Sequence, residues 1–269
     1  MKNIQRLVVA GGTGRMSRLL TDGVHGADDM VLAGVFGRDR AAASDRMAAD
    51  GLAQPSVATV TADIDRLLKD TDVLIDFTRP EAMHVHLAAA LRHGVGLVIG
   101  TTGLDEAQVD AVRQAATTVP IVFAPCMSLG VTRLLALLEQ AAGMFDERYD
   151  IEIVEAHHRY KIDAPSGTAL AMGDAIARAR GRSLAECAVY GRAGETGSRV
   201  SGAIGFAAVR GGDIVGEHTV MFIGQGERIE ITHRATSRQG YVDGALDAAR
   251  FLRGRTSGLF DMRDVIDGS

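Results

Sequence analysis

The sequence predicts an α/β protein with two domains, the first built on a parallel sheet and the second on a mixed or antiparallel sheet. Short apolar runs alternate with helical segments up to about residue 125, and glycines directly follow the first of these runs. Beyond about residue 200, strand-like segments succeed one another without helices between them. Strand–helix alternation is typical of right-handed βαβ crossovers and a parallel sheet, whereas crowded strands favour antiparallel pairing.

The first domain is predicted from five apolar runs that have the length of buried strands. They cover residues 7–10, 31–36, 73–77, 97–99 and 121–124, with helical spacing at 16–24 and 82–93. Sheets of this kind bind cofactors at the carboxyl ends of their strands. We expect the domain to comprise residues 1–127 together with 238–269, because a last predicted helix at 241–252 can pack back on it.

The second domain is predicted to comprise residues 128–237. It begins with a helix rich in Leu and Ala at 131–144, followed by an alternating polar and apolar strand at 149–156 and a helix at 168–180. Further strands are expected at 201–209, 214–223 and 228–234, separated by glycine turns.

The 269-residue chain has the composition of a soluble globular protein, with 46% hydrophobic and 23% charged residues. Its net charge of −5 argues against binding to nucleic acid through general phosphate attraction. No apolar run approaches the ~18 residues of a membrane-spanning helix, and the first residues are typical of a strand rather than a secretory signal. Only Cys126 and Cys187 occur, so we expect no disulfide framework and a cytoplasmic location.

A glycine-rich turn, AGGTGRMS at residues 10–17, lies where the first predicted strand meets the first predicted helix. A dinucleotide site needs a tight turn, close backbone approach to the pyrophosphate and N–H groups at a helix N-terminus. Gly11 and Gly14 suit the turn and the close approach, but Ser17 replaces the last glycine, which gives GxxGxxS instead of GxGxxG. The position after the first strand favours a dinucleotide over a glycine turn without a ligand.

The end of the second predicted strand indicates which dinucleotide is bound. An acidic residue there binds the ribose 2′-hydroxyl of NAD, whereas arginine accommodates the 2′-phosphate of NADP. Gly37 stands where the acid is expected, with Arg38 and Arg40 beside it. We therefore predict NADPH as the cofactor, although Asp39 leaves NADH open and the same charges suit an ordinary solvated loop.

The densest functional motif is EAHHRYKIDAPSGT at residues 155–168, between a predicted strand and a predicted helix. Two histidines, an arginine and a lysine within five positions make this loop cationic. Ser166, Gly167 and Thr168 offer N–H groups and hydroxyls at a helix N-terminus, which suits a carboxylate. A reductase of a dicarboxylate imine needs positive charge for the acid groups and a proton donor, which histidine or lysine supplies near neutral pH.

Two other interpretations of this motif stay open. Paired histidines in a basic loop are also typical of a solvated protein surface. A metal site is disfavoured, because adjacent histidines on an extended segment point to opposite faces and no cysteine or carboxylate has ligand spacing.

Seven motifs together make the chain resemble the 4-hydroxy-tetrahydrodipicolinate reductase family, formerly called dihydrodipicolinate reductase. They are GGTGRM at 11–16, DFTRPEA at 76–82, GTTG at 100–103, EAHHRYKIDAPSGTAL at 155–170, RGGDIVGEHTV at 210–220, ITHRATSR at 231–238 and GLFDMRDV at 258–265. They occur in the family's order and span nearly the whole chain, and the block at 155–170 is highly specific.

The resemblance implies a Rossmann-like parallel-sheet cofactor domain, closed by the C-terminal helix, and an α+β domain with a mixed sheet for substrate binding and homotetramer contacts. The implied reaction is the NAD(P)H-dependent reduction of a cyclic 4-hydroxy imine diacid to tetrahydrodipicolinate, with loss of water, in lysine and diaminopimelate biosynthesis. The implied partner is thus a small dicarboxylate, with no nucleic acid, membrane or metal.

The resemblance and the motifs described above together give the expected site residues. His157 matches the family's proton donor and Lys161 its catalytic lysine. The expected substrate contacts are His158, Lys161, Ser166, Gly167 and Thr168. The expected cofactor contacts are Gly11, Gly12, Thr13, Gly14, Arg15, Met16, Gly37, Arg38, Phe77, Gly100, Thr101, Thr102, Ala124, Pro125, Cys126 and Met127.

Five positions depart from the family pattern. Ser17 replaces a glycine, Cys126 and Thr132 replace asparagines, and Tyr160 and Glu195 replace histidines. A thiol hydrogen-bonds much more weakly than an amide, so Cys126 weakens the match if that asparagine orients the nicotinamide. No base is evident beside Cys126, which favours a buried structural cysteine over a nucleophile.

These departures leave three alternatives open. The first is an imine reductase of the same type that acts on a different anionic cyclic imine. The second is a non-catalytic dinucleotide-binding sensor, against which the intact His157 and Lys161 argue. The third is an enzyme similar to aspartate dehydrogenase, which the block at 155–170 fits poorly.

Overall fold

The computed structural model describes residues 4–12, 14–37 and 59–268. The chain divides into two compact units, one formed by Met1–Leu129 with Gln239–Ser269 and the other by Gly130–Arg238. Which unit binds cofactor, substrate or another subunit stays a prediction at this point. No helix among the described residues is long and apolar enough to cross a membrane.

The secondary structure of the described residues consists of twelve strands, nine α-helices and a short 3-10 turn at Pro80–Ala82. The strands are β1 Gln5–Ala10, β2 Met30–Phe36, β3 Thr59–Thr61, β4 Val73–Asp76, β5 Gly96–Ile99, β6 Pro120–Phe123, β7 Asp150–His157, β8 Ala188–Tyr190, β9 Ile204–Arg210, β10 Gly216–Ile223, β11 Arg228–Ala235 and β12 Gly258–Phe260. The helices are α1 Arg15–His25, α2 Ile64–Leu68, α3 Met83–His93, α4 Glu106–Ala115, α5 Leu129–Met144, α6 Gly167–Ala179, α7 Leu184–Cys187, α8 Gln239–Phe251 and α9 Met262–Asp267.

The first unit is built on a sheet whose described strands follow the order β12-β6-β5-β4-β1-β2-β3. Every neighbouring pair in it is parallel, which confirms the prediction. β1 lies between β2 and β4, so the strand order reverses there. In open α/β sheets this reversal point, at the carboxyl ends of the strands, is where ligands bind.

The central strands of this sheet are apolar because helices cover both of its faces. In β1, Leu7, Val8 and Val9 are fully buried. Leu7 and Val9 pack in one core cluster with α1 and α8, whereas Val8 packs in a second cluster with α2, α3 and α4. Successive residues of β1 therefore pack in two different cores, one on each face of the sheet.

Local signals set several helix boundaries. α4 begins at a capping box, in which Asp105 and Gln108 each accept the backbone N–H of the other. α3 ends at Gly94, whose φ of 66° lies in the left-handed region. α6 begins after Ser166, whose hydroxyl accepts the N–H of Ala169.

The second unit is built on a mixed sheet with the order β11-β10-β7-β9-β8, counted over the described residues. β10 is antiparallel to both β7 and β11, whereas β9 is parallel to β7 and β8. Its core contains Ile151 and Ile153 from β7, Leu138 from α5 and Met172 from α6. The predicted second, mixed sheet is confirmed.

Some elements had no counterpart in the sequence analysis, namely β3, α2, α4, α7, β8, β12 and α9. All but α4 span six residues or fewer, which is too short for hydrophobic periodicity to register. α4 spans ten residues but buries only Val112 and Ala115, so too few apolar residues repeat at helical spacing to predict it.

Candidate active site

The glycine turn of the first unit joins β1 to α1. Gly11 and Gly12 have φ angles of 112° and 47°, which favour glycine. Both of their N–H groups donate to the carbonyl of Phe36, at 2.9 and 3.0 Å, so the turn is tied to the end of β2. A Cβ on Gly37 would lie 2.9 Å from the Cα of Gly12. Any side chain at position 37 would therefore push the turn out of place.

α1 begins beside this turn without a side-chain cap. Its N-cap residue is Gly14, and its first turn contains no acidic residue. The first N–H groups of a helix lack intrahelical partners and carry a partial positive charge. Because these N–H groups are uncapped and lie next to the glycine turn, they fit the pyrophosphate of a dinucleotide.

Four residues near this turn bear on the predicted cofactor contacts. Arg15 is exposed, whereas Met16 packs against the core. Ser17 is buried, and its Oγ has no hydrogen-bond partner among the described residues. Ser17 does not crowd the turn, because a Cβ built on Gly11 would lie 3.6 Å from the Cβ of Ser17, which is an ordinary van der Waals distance. The predicted contacts Thr13 and Arg38 lie outside the described residues, as do Asp39 and Arg40.

A buried aspartate at the end of β4 organises two loops at the carboxyl edge of the sheet. Oδ2 of Asp76 lies 2.6 Å from Nδ1 of His86 on α3, and both residues are buried. Oδ1 accepts the N–H and hydroxyl of Thr78, at 2.8 and 2.6 Å, and the hydroxyl of Thr101, at 3.1 Å. Burial raises the pKa of Asp76, but the bonds from His86 and Thr78 outweigh it, and the pKa lies below its ordinary value.

These loops carry four of the predicted cofactor contacts. The ring of Phe77 packs on the backbone of Gly100, where a Cβ would overlap the ring. Thr101 is buried and Thr102 is exposed. The aspartate–histidine pair beneath them was not predicted from the sequence. The available signal was an acid that ends a buried strand within DFTRPEA.

The loop after β6 carries the remaining predicted cofactor contacts. Ala124 and Met127 are buried, Cys126 is half-buried and Pro125 is exposed. The side chain of Met127 packs in the core, and Gly244 on α8 leaves room for its carbonyl. The Met127 side chain is therefore not available to a ligand.

In the second unit, one face of the sheet changes from apolar to polar along β7. Ile151 and Ile153 pack in the core, and the next residues of the same face are Glu155 and His157, both buried. Arg210 on β9 pairs in register with His157, and His218 on β10 pairs with Glu155. Strand pairing thus gathers a carboxylate, a guanidinium and two imidazoles.

The carboxylate of Glu155 holds three neighbours and is 1% exposed. Its Oε1 accepts the N–H of Ser166 at 3.0 Å and Nη2 of Arg210 at 2.6 Å. Its Oε2 accepts Nη1 of Arg210 at 2.7 Å and lies 2.6 Å from Nδ1 of His157. Burial raises the pKa of Glu155, but the bonds from Arg210 and His157 more than offset it, so the pKa lies below its ordinary value.

The imidazole of His157 is nearly buried, with 11% of its side chain exposed. Its Nε2 lies 3.1 Å from the position of a Cβ on Gly216, so a glycine there keeps this nitrogen uncrowded. Burial lowers the pKa of His157, Glu155 raises it, and the charges of Lys161 and Arg210 lower it again. The net pKa is below its ordinary value.

Ser166 is the N-cap residue of α6, and its hydroxyl is engaged within the protein. Oγ accepts the N–H of Ala169 at 3.2 Å and lies 2.9 Å from Nε2 of His218. Burial, and then the charge of His157, lower the pKa of His218 to about 4, so this histidine is neutral near pH 7. Which atom donates in the contact between Ser166 and His218 depends on the tautomer of this histidine.

The other predicted substrate contacts lie in or beside the loop between β7 and α6. Nζ of Lys161 lies 2.8 Å from the carboxylate of Asp163. His158 is half-buried, and its Nδ1 has no hydrogen-bond partner among the described residues. Gly167 and Thr168 form the exposed to half-buried first turn of α6. The loop therefore presents an ammonium and a helix N-terminus close together in the chain.

Arg210, His218 and His233 were not predicted as site residues. Nδ1 of His218 and of His233 and Nε of Arg210 are buried and have no hydrogen-bond partner among the described residues. These residues lie within RGGDIVGEHTV and ITHRATSR, so the signal was present, but no role could be read without the strand register. No cluster of three His, Cys, Asp or Glu side chains with the arrangement of a metal site occurs in the described ranges.

Known proteins resemble this chain over almost its full length. Family models described as dihydrodipicolinate reductase, N-terminus and C-terminus, match residues 5–127 and 130–266. The 4-hydroxy-tetrahydrodipicolinate reductase of Burkholderia mallei (strain SAVP1) is 53% identical over 261 residues, which cover 97% of each chain. The protein of the same name from Burkholderia thailandensis is 54% identical over 261 residues, again 97% of each chain.

Solved structures support the fold. Dipicolinate-bound dihydrodipicolinate reductase from Paenisporosarcina sp. TG-14 has a TM-score of 0.75 at 23% identity, covering 96% of this chain and 97% of that one. Apo scyllo-inositol dehydrogenase from Lactobacillus casei has a TM-score of 0.59 at 12% identity, and the match covers 100% of this chain and 94% of that one. Because the two family matches together span nearly all of its residues, this chain belongs to the dihydrodipicolinate reductase family.

Proposed function

We propose that this protein is a 4-hydroxy-tetrahydrodipicolinate reductase. It uses NAD(P)H to reduce the cyclic 4-hydroxy imine diacid to tetrahydrodipicolinate, with loss of water, in lysine and diaminopimelate biosynthesis. The observation that carries the proposal is the Glu155–His157 pair, bonded through Glu155 to the N-cap of α6. A proton donor and a carboxylate site thereby share one rigid support.

The first unit supplies the cofactor site. The turn at Gly11, Gly12 and Gly37, with the uncapped start of α1, holds the pyrophosphate. The loops after β4, β5 and β6 line the nicotinamide, and the Asp76 hydrogen bonds keep the first two of these loops in place. When bound, the reduced nicotinamide supplies a hydride to the substrate.

NADPH is the cofactor we propose. An acid at position 37 is incompatible with the observed turn, because its Cβ would collide with Gly12. The recognition of the ribose therefore passes to the following residues, where Arg38 and Arg40 suit a 2′-phosphate. Arg38→Glu should weaken NADPH binding and spare NADH binding. An unchanged preference would remove Arg38 from this role.

The substrate carboxylates bind at the loop between β7 and α6. Gly167 and Thr168 offer the N–H groups of a helix N-terminus, and Lys161 adds an ammonium. The contact of Lys161 with Asp163 supports this role, since Nζ already binds a carboxylate at 2.8 Å. His158, whose Nδ1 has no hydrogen-bond partner among the described residues, is the further side chain we assign to the same carboxylates.

His157 donates the proton to the substrate atom that gains electron density. In the protein without substrate, the pKa of His157 is below its ordinary value. A bound dianion favours the protonated imidazole, because opposite charges stabilise each other at short range. Binding of the substrate therefore charges the proton donor.

A homotetramer and a cytoplasmic location are part of the same proposal. The second sheet presents half-exposed Val154, Ala156, Thr219 and Met221 on the face opposite Glu155 and His157, and we assign subunit contacts to that face. Sedimentation equilibrium should give four times the chain mass. A monomeric mass at micromolar concentration would contradict the tetramer.

The test of the function is a spectrophotometric assay with freshly generated 4-hydroxy-tetrahydrodipicolinate and with NADPH and NADH compared side by side. We expect kcat/KM of about 10⁴ M⁻¹s⁻¹ or more with the preferred cofactor. If NADPH binds but neither cofactor is oxidised, the assignment fails, and a different anionic cyclic imine becomes the substrate to seek.

A further inference from the structure

Glu155 makes four close contacts with nitrogen atoms in the second unit. The side chain is almost fully buried, and each carboxylate oxygen meets two nitrogens. A buried carboxylate is costly unless it is paired and hydrogen-bonded. Here the bidentate guanidinium of Arg210 supplies the pairing.

The contact between Glu155 and His157 determines which imidazole nitrogen carries the fixed proton. An ionised carboxylate only accepts hydrogen bonds, so Nδ1 of His157, 2.6 Å away, must be its donor. The proton that comes and goes is therefore the one on Nε2. Glycine at position 216 leaves that nitrogen uncrowded.

Arg210 keeps Glu155 in the state that this arrangement needs. Its two hydrogen bonds help hold the pKa of Glu155 below the ordinary value and so favour the ionised carboxylate beside His157. The same guanidinium also lowers the pKa of His157 by like charge. Glu155 and Arg210 therefore act on His157 in opposite directions.

The second oxygen of Glu155 connects the proton donor to the start of α6. Oε1 accepts the N–H of Ser166, whose hydroxyl in turn contacts His218. A displacement of Glu155 would move both the imidazole of His157 and the first turn of α6. One side chain thus fixes the geometry of the proton donor and of the carboxylate site.

We propose that Glu155 is the positioning residue of the reduction, which holds His157 with its fixed hydrogen on Nδ1 and its transferable proton on Nε2. This inference rests on the proposed function, because His157 is the proton donor only if the protein is the reductase. The charged or titratable groups that face the pair are Arg210 on β9, His218 on β10 and Lys161 in the loop. Lys161 is itself paired with Asp163.

The test compares the pH profiles of kcat for the wild type, Glu155→Gln and Glu155→Asp. For Glu155→Gln we expect kcat to fall about 10- to 100-fold, less than the ~10²–10⁴-fold that loss of a general acid costs. The basic limb of the profile, where kcat falls as pH rises, should move to lower pH. The reason is that Glu155→Gln removes the negative charge that favours protonated His157. Glu155→Asp keeps the charge and should leave the limb in place.

Two further variants separate this role from a purely structural one. Arg210→Gln removes a charge that lowers the pKa of His157, so the basic limb should move to higher pH, opposite to Glu155→Gln. Asp146→Asn is the control, because it removes a carboxylate of the second unit that forms an exposed ion pair with Arg148 in the turn before β7. It should change neither kcat nor the limb.

The outcomes distinguish the two claims. If the wild type shows no reductase activity, the proposed function fails. If the wild type is active and Glu155→Gln keeps its kcat and basic limb, the positioning role is overturned and the function stands. Should Glu155→Gln not fold, Arg210→Gln decides: a limb at higher pH supports the role, and an unmoved limb overturns it.

Discussion

The hydroxyl of Ser166 lies 2.9 Å from Nε2 of His218 and joins the first turn of α6 to a buried histidine of β10. Ser166 also caps α6 and donates its N–H to Glu155. The hydroxyl of Ser166, a predicted substrate contact, therefore already has two partners within the protein. The contact also makes stability dependent on pH.

The stability of the protein should fall as pH falls from 6.5 towards 4, in part because of His218. Its pKa is about 4 in the folded protein and 6.5 as an ordinary histidine, so the unfolded chain binds the proton more readily in this window. The full shift corresponds to roughly 3 kcal/mol. Burial lowers the pKa of His157 and His233 as well, which adds to the same trend.

The measurement is the thermal midpoint at pH 7.0 and pH 5.0. His218→Gln keeps an acceptor for Ser166 but does not titrate, so its midpoint should fall less than that of the wild type. The exposed His84 on α3 serves as the control, and His84→Gln should fall as the wild type does. Equal falls for the wild type and His218→Gln would contradict this account.

His157→Ala should lower kcat by about 10²–10⁴-fold, the usual contribution of a positioned general acid. The dissociation constant of NADPH, measured by fluorescence titration, should stay near that of the wild type, because the proposed cofactor site lies in the first unit. An unchanged kcat would remove His157 from the mechanism.

Lys161→Ala should raise KM by about 10- to 100-fold, since a hydrogen bond to a charged group contributes about 1.5–3 kcal/mol. A fall in kcat as well would assign the lysine a part in proton delivery. Arg159→Ala removes the same charge from an exposed position of the same loop and should leave both constants near wild type. Equal effects of the two variants would indicate a diffuse field instead of a specific contact.

Gly37→Ala should weaken NADPH binding about 10-fold or more, because overpacking costs about 1–3 kcal/mol and the contact is with the backbone of Gly12. Gly26→Ala, at the end of α1, is the matched control, since its Cβ would have ordinary contacts at 3.7 Å. Calorimetric titration with NADPH measures both variants. If Gly37→Ala binds NADPH with wild-type affinity, the glycine turn does not hold the cofactor.

The sequence was informative where a single segment carried the signal. The strand of Leu7, Val8 and Val9 could be predicted because a buried parallel strand is apolar along its whole length. The loop with His157 and Lys161 could be identified as a candidate site because its ionisable side chains are neighbours in the chain.

The rest of the site depends on strand register, which local pattern does not reveal. Arg210 is 55 residues from Glu155, and His218 is 52 residues from Ser166, yet both pairs are in hydrogen-bond contact. The parallel pairing of β7 with β9 and the antiparallel pairing of β7 with β10 bring them together. The buried pair Asp76–His86 was missed for a different reason, because His86 lies among apolar residues of α3 and reads as part of the core.

The most direct test of the central claim follows one deuterium. The protein is mixed with freshly generated 4-hydroxy-tetrahydrodipicolinate and NADPH that carries deuterium at the transferred position of C4, and the product is analysed by mass spectrometry. The account predicts tetrahydrodipicolinate with one deuterium from the wild type and almost none from His157→Ala in the same time. Unlabelled product, or no product from protein that binds NADPH, would contradict it.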